Sequence, residues 1–287
     1  MGSELIVVRR HVRNLIGYSH PFLAEASDGN LYVVKPSFEQ TGSNLLFNEC
    51  AGHALYGACG LPVPGWKPIL LTKQFLEENT GKWQSECPGC LAPEPGLAFG
   101  SLFLGGSGIK LLEILPESSL SRIENRASFW LAWLIDLCGR HADNRQVVFQ
   151  VRNSRRLRAV YIDHGHCLGG PGGDAKTHLW RCCYLDRRVY MPLQSEESTA
   201  LFSVVRTLDA DRIWGRVSLI PPEWSTASGV RAFADCLNLL ADLKLIESLA
   251  DSLKRAVIHG RDCEQIRHQT IRESATRVFR SGLPEIG

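Results

Sequence analysis

Residues 139–165 read GRHADNRQVVFQVRNSRRLRAVYIDHG. Two carboxylates in this stretch, Asp143 and Asp163, each come at the end of an apolar run. Asp143 follows the helical pattern FWLAWLIDLC of residues 129–138, and Asp163 follows Val160, Tyr161 and Ile162, a short buried strand. Val147 to Val151 and Leu157 to Ile162 read as two strands joined by a turn around Asn153 and Ser154. A hairpin returns its two ends, and so both carboxylates, to one place. One is then positioned to take a proton and the other to hold a metal ion, which is the division of labour in phosphoryl transfer. Asp is also a common turn former and cap, so these two positions are ambiguous by themselves.

Working outward, Phe22 to Ala26 and Leu31 to Lys35 read as a hairpin around Ser27-Asp28-Gly29-Asn30, and residues 4–10 as a strand before it. Leu45 to Tyr56 has the spacing of an amphipathic helix, with Ser43 as its cap and Gly60 as its stop. Trp66 to Thr72 reads as a strand, Thr72 to Asn79 as a short helix and Phe99 to Leu104 as a strand running into a hinge. The glycines at 105, 106 and 108 then mark a boundary. Beyond it, helices are expected over 119–138, 196–208, 211–219, 230–259 and 262–280, with the leucine stripe Leu237, Leu240, Leu243, Ile246, Leu249 and Leu253 facing the core. The expected fold is α+β with two lobes, a β-rich lobe with one helix over 1–104 and a mainly helical lobe carrying the hairpin over 105–287.

The composition fits such a protein. Of 287 residues, 44% are hydrophobic and 22% charged, and the net charge of +2 gives no electrostatic case for nucleic acid or an anionic membrane as a bulk partner. The sequence has no apolar run of membrane-spanning length, and MGSELIVVRRH is a poor signal peptide. The ten cysteines are scattered through apolar patterns, as buried free thiols in a reducing, cytoplasmic setting would be. Cys87 and Cys90 form a lone CxxC in a Pro- and Gly-rich loop without a second ligand pair, and a flexible loop is the plainer reading.

Lys35 ends a strand and Glu49 lies fourteen residues on, in the next helix. A strand lysine held by a helix glutamate is the ion pair with which protein kinases grip phosphates. Taken with Asp143 and Asp163, in this order and across a run of glycines, the set carries more weight than any of its members.

The segments GYSHPFL, DGNLYVVKP, NECAGHALYGACGLPVP, LAFGSLFLG, HADNRQVVF and YIDHGH, spread over 17–170, resemble the HipA-like kinases in their shorter, single-unit form. The resemblance implies a fold similar to that of protein kinases and ATP-dependent transfer to a serine or threonine hydroxyl. It also implies the setting of bacterial toxin–antitoxin systems, with an antitoxin as partner. By position it makes Lys35 a phosphate contact with Glu49 orienting it, Asp143 the catalytic base with His141 shaping its loop, and Asp163 a Mg²⁺ ligand. Phe99 and Gly100 would form the hinge at adenine, and Gly17, Tyr18, Ser19 and His20 the phosphate loop. The sequence departs from the kinase pattern twice. Five residues after Asp143, where kinases carry a metal-binding Asn, stands Val148. Gln146 or Asn144 would supply that oxygen if the loop is shortened. GYSHP is also not a G-x-G-x-x-G loop, although the N–H groups of Tyr18 to His20 can form an anion-binding nest.

Two other readings compete. His141 and Asp143 with Asp163, His164 and His166 resemble the ligand set of a metal-dependent hydrolase. The altered loop after Asp143 also suits a kinase-shaped module that holds nucleotide without transferring phosphate. Within the kinase reading, a small-molecule alcohol competes with a protein hydroxyl as acceptor. The region from Gly169 to Arg188, with Asp174, Lys176, Arg181, Arg187 and Arg188, is its expected neighbourhood.

Overall fold

The computed structural model describes residues 5–38, 44–82, 93–106, 109–153, 156–174, 182–190, 201 and 203–260. The chain divides into two compact units, 1–246 and 247–287. The first holds the elements that build the site. Of the second, the described residues continue a helix to Gly260.

Five strands close into a barrel: β1 (Ile6–Asn14), β2 (Phe22–Ala26), β3 (Leu31–Lys35), β4 (Trp66–Leu71) and β5 (Gly96–Leu102). The order is β1-β2-β3-β5-β4, with a parallel β1–β4 contact completing the ring. Val8, Phe22, Ala24, Val34, Ile69, Leu71 and Ala98 share its buried core. The β2–β3 turn is as expected from its sequence: Gly29 takes φ +77° and Asp28 accepts the Asn30 N–H at 3.1 Å. β1 runs four residues further than its sequence suggests. Two irregularities, between Val8 and Arg10 and between His11 and Arg13, break the apolar alternation without breaking the pairing.

Helix α1 (Leu45–Ala58) follows β3. It is buried continuously from Leu45 to Gly52, so it is not the one-sided helix its spacing predicts. Its end matches expectation: Gly60 is left-handed at φ +71° and the Leu61 N–H closes on the Tyr56 carbonyl at 3.0 Å. Ser43, the expected cap, lies outside the described residues, as do Gly108, Ser154, Lys176, Arg181 and the Cys87–Cys90 loop. α2 (Lys73–Glu78) is capped by Thr72, which accepts from Phe75 N.

The remainder is a three-stranded sheet with helices. β7 (Gln146–Asn153) and β8 (Arg156–Ile162) form the expected hairpin, and the two-residue β6 (Leu111–Leu112) adds an unexpected edge. The helix expected over 119–138 is two elements, a 3-10 turn at Glu117–Arg122 and α3 (Ser128–Cys138). The break has a cause in β8. Ile123 bridges to Leu157, and the Asn125 side chain both donates to the Ala159 carbonyl and accepts from its N–H, each at 2.9 Å. α4 (Ala210–Val217) begins at an Asp209 cap. The long helix expected over 230–259 is also two, α5 (Ala227–Ala241) and α6 (Leu243–Gly260). Asp242 leaves helical geometry at ψ 91° and caps the second by accepting from Leu245 N. Leu237 and Leu240 are buried as expected, but Leu243, at the break, is 40% exposed. Of the helix expected over 196–208, residues 201 and 203–206 are helical, while 196–200 and 202 lie outside the described residues; that expected over 262–280 lies wholly outside them. No described helix is long and apolar enough to cross a membrane.

Candidate functional site

Register places the site's lysine. Lys35 closes β3 opposite Phe99 of β5. It follows Val34, which belongs to the barrel core, so alternation turns the lysine to the other face. There its ammonium donates to Glu49 Oε1 of α1 and, at 2.8 Å, to Asp163 Oδ1 just beyond β8. The Lys35 and Glu49 side chains are 7% and 1% exposed, whereas Asp163 is 27% exposed and keeps an open side. Burial alone would lower the Lys35 pKa, but Asp163 and Glu49 reverse this and raise it. Burial would likewise raise Asp163, but the adjacent Lys35 holds it well below the usual carboxylate range. Glu49 is pushed up by its burial against the pull of Lys35. One ammonium thus lies between two carboxylates, the deeper of which is buried and the other open on one side.

Glu49 also holds the backbone beyond Asp163. Oε2 accepts the His164 N–H at 3.0 Å and Oε1 the Gly165 N–H at 2.8 Å. The preceding residue, Asn48, donates through Nδ2 to the carbonyls of Gly165, Cys167 and Gly170 at 3.1, 2.7 and 3.1 Å. A Cβ on Gly165 would come within 2.7 Å of Leu45 and 2.8 Å of the Glu49 carboxylate, so α1 lies directly on this loop because residue 165 has no side chain.

The Asp143 loop runs alongside. Ala142 N donates to the His166 carbonyl at 2.8 Å, Leu168 N to Gly139 at 2.6 Å and Gly169 N to Arg140 at 3.1 Å. His141 is 1% exposed, and its Nδ1 lies 2.7 Å from the Asp143 carbonyl. The same nitrogen lies 3.3 Å from the Asp143 N–H, so the ring meets that residue's backbone in either tautomer. Burial, with the Arg145 charge adding to it, pulls His141 down to about 4 and keeps the imidazole neutral near pH 7. His141 therefore braces the backbone at Asp143 and does not project into solvent. Asp143 is half-buried, and its Oδ1 accepts the Asn144 N–H at 2.7 Å.

The remaining candidates fall as follows. Asn144 is half-buried beside Asp143. Gln146 is exposed at the first position of β7, opposite Ile162 and so one residue from Asp163. Val148 is buried in the same strand. Phe99 and Gly100 lie within β5, which continues to Leu102. Phe99 is 2% exposed and stacks on Trp66 at 5.4 Å, and a Cβ on Gly100 would come within 2.1 Å of Ile69. Packing accounts for both. Gly17 to His20 form the β1–β2 connection. His20 takes φ +45° and its N–H closes the turn on the Gly17 carbonyl at 3.1 Å, which takes one of the three expected nest donors. The Tyr18 ring meets His166 edge-on at 5.5 Å, so this connection reaches the loop beyond Asp163.

The Asp163 and Asp143 carboxylates and the Asn144 and Gln146 amides each carry oxygen, the donor a hard divalent cation takes. The histidine-rich ligand set is not assembled. His164 is turned toward Arg145, with Nδ1 3.3 Å from the guanidinium, and His166 packs on Tyr18. Among the described residues, the one group gathered closely enough to ligate is Asp136, His141 and Cys167. Both Asp136 oxygens there already accept from Arg145.

Arg145 and Asp136 were not among the sequence candidates. Asp136 is the one charge in FWLAWLIDLC, and a charge on a helix that apolar must find a buried partner. That was the available signal. Nothing local in the sequence points to Asn48 and its three carbonyls.

No family model matches the chain, and no curated protein matches it. Solved structures do. The crystal structure of a Helicobacter pylori proinflammatory kinase, CtkA, is similar with a TM-score of 0.53 at 12% identity over 84% of this chain and 95% of that one. A Golgi casein kinase with Mn/ADP bound gives 0.49 at 14% identity over 89% and 74%. At such identity the first likeness shows the fold alone: this α+β chain has a fold like that of a kinase structure.

Proposed function

We propose that the protein is an ATP-dependent phosphotransferase of two lobes, 1–104 and 105–287, that moves the γ-phosphoryl group of Mg-ATP to a hydroxyl. The observation that carries this is the convergence of Lys35, Glu49 and Asp163 from a barrel strand, a helix and a hairpin end, 128 residues apart at the extremes. Lys35 contacts phosphate oxygens, and Glu49 keeps its ammonium in place. Asp163, with Asn144 or Gln146, would hold Mg²⁺. The ion, when bound, neutralises charge on the phosphates. Asp143 orients the acceptor hydroxyl and takes its proton, on a loop braced by His141. Tyr18 and Ser19, in the β1–β2 connection, are assigned to the phosphate chain through the same resemblance. A protein serine or threonine is the favoured acceptor through the HipA-like resemblance, which also suggests an antitoxin partner and a cytoplasmic setting. A small-molecule alcohol is the alternative.

The test is incubation with labelled ATP, Mg²⁺ and a lysate. Asp143→Asn should lose transfer by about 10²–10⁴-fold, the usual worth of a positioned base, while still binding Mg-ATP. Asp163→Asn should weaken Mg-ATP binding itself. Near-wild-type transfer by Asp143→Asn overturns the role of Asp143. A second reading, nucleotide binding without transfer, is favoured by the buried Val148 standing where kinases place a metal-binding amide. Thermal stabilisation by Mg-ATP with no labelled product from any hydroxyl would select it.

A further inference from the structure

Asp163 has φ +59°, a left-handed conformation that L-residues seldom take. Consecutive carbonyls of an extended strand point opposite ways, yet those of Ile162 and Asp163 both accept from Nη1 of Arg145, at 3.0 and 3.1 Å. They can converge on one nitrogen only if the chain turns between them, and the left-handed residue is that turn. The rest of the guanidinium is fixed. Nε and Nη2 donate to the two Asp136 oxygens of α3 at 2.8 and 2.7 Å, and the Tyr56 ring lies 4.8 Å from the guanidinium carbon. Arg145 is 2% exposed and Asp136 1%. A buried ion pair of this kind is a weak source of stability, because desolvating both charges offsets their attraction. What the fork does supply is direction.

We propose that Arg145, held by Asp136, is a positioning residue that fixes the turn at Asp163 and so aims its carboxylate at the divalent cation. Arg145 touches neither cation nor nucleotide; it acts on the two carbonyls that set where the Asp163 side chain leaves the strand. The inference rests on the phosphotransferase reading, which supplies the cation. Lysine cannot replace it, because one ammonium cannot engage a carboxylate through two parallel bonds and two carbonyls at once.

The experiment follows the unfolding temperature of the full chain with ATP present while Mg²⁺ is titrated, and reads the Mg²⁺ concentration giving half of the nucleotide-induced shift. Arg145→Lys should raise that concentration by about 10–100-fold, the usual effect of removing a group that orients a metal ligand. Asp136→Asn, which keeps one acceptor oxygen, should raise it less. Tyr161→Phe loses a core hydrogen bond to Ser128 and should lower the unfolding temperature without moving the Mg²⁺ midpoint. An unchanged midpoint in folded Arg145→Lys and Asp136→Asn overturns the inference alone. Failure of both to fold also overturns it, by assigning the pair to core integrity. Absence of any Mg²⁺-dependent ATP shift in the wild type overturns the phosphotransferase reading and this inference with it.

Discussion

Lys35 shows how one residue sets both charge and stability. Removing one partner of a buried pair costs about 3–5 kcal/mol, and Lys35→Met leaves two carboxylates facing each other. At least one must then take a proton. A carboxyl whose folded pKa exceeds its unfolded value is destabilising at neutral pH and is relieved as pH falls. The deficit of Lys35→Met against wild type, measured by urea denaturation, should therefore shrink between pH 7 and pH 5. The wild type has the opposite slope there. His141 and His164 are buried and neutral, His141 at about 4 and His164 well below its ordinary 6.5, so the unfolded chain takes up protons first. Stability falls as pH drops from about 6.5 toward 4, and His141 alone accounts for about 3 kcal/mol of this at 1.36 kcal/mol per pKa unit. His141→Gln should flatten the slope in the same urea series. Lys35 and Asp163 were legible in the sequence because each ends an apolar strand pattern, and Glu49 because it is an acidic residue in the helical pattern that follows Lys35. Asp136 was marked only as the lone charge on an apolar helix and Arg145 not at all, because their partners are backbone carbonyls and side chains that only the folded chain brings near.

At the scale of elements, the barrel is fitted around missing side chains. Gly100 leaves room for Ile69, so Gly100→Ala should destabilise by about 1–3 kcal/mol through overpacking. Ile69→Ala should also destabilise, by opening a cavity. The two costs should not add, because the second substitution removes the atoms that the first collides with, and a double-mutant cycle on unfolding free energies measures the coupling. The strands of the barrel and hairpin were readable from alternation and turn chemistry. Both long helices were read as continuous because their breaks are not written in helix breakers. Asn125 leaves the helix to act as a strand partner for Ala159, and Asp242 stops one helix by capping the next. Single asparagine and aspartate side chains decide both, through partners 34 and 3 residues away.

For the whole molecule, nucleotide binding has a thermodynamic signature independent of any acceptor. A ligand at 100 times its dissociation constant adds about 2.7 kcal/mol to stability, which for a chain of this size raises the unfolding midpoint by roughly 4–5 °C. That rise should require both ATP and a divalent cation, and Asp163→Asn should reduce it at fixed cation concentration. The Tyr18–His166 ring contact makes the same event visible from elsewhere. The pair joins the tip of the first hairpin to the segment beyond Asp163, across the path assigned to the triphosphate. On the proposed path an arriving triphosphate meets this ring pair, so an indole introduced by Tyr18→Trp should change its emission on nucleotide binding, before any chemistry occurs.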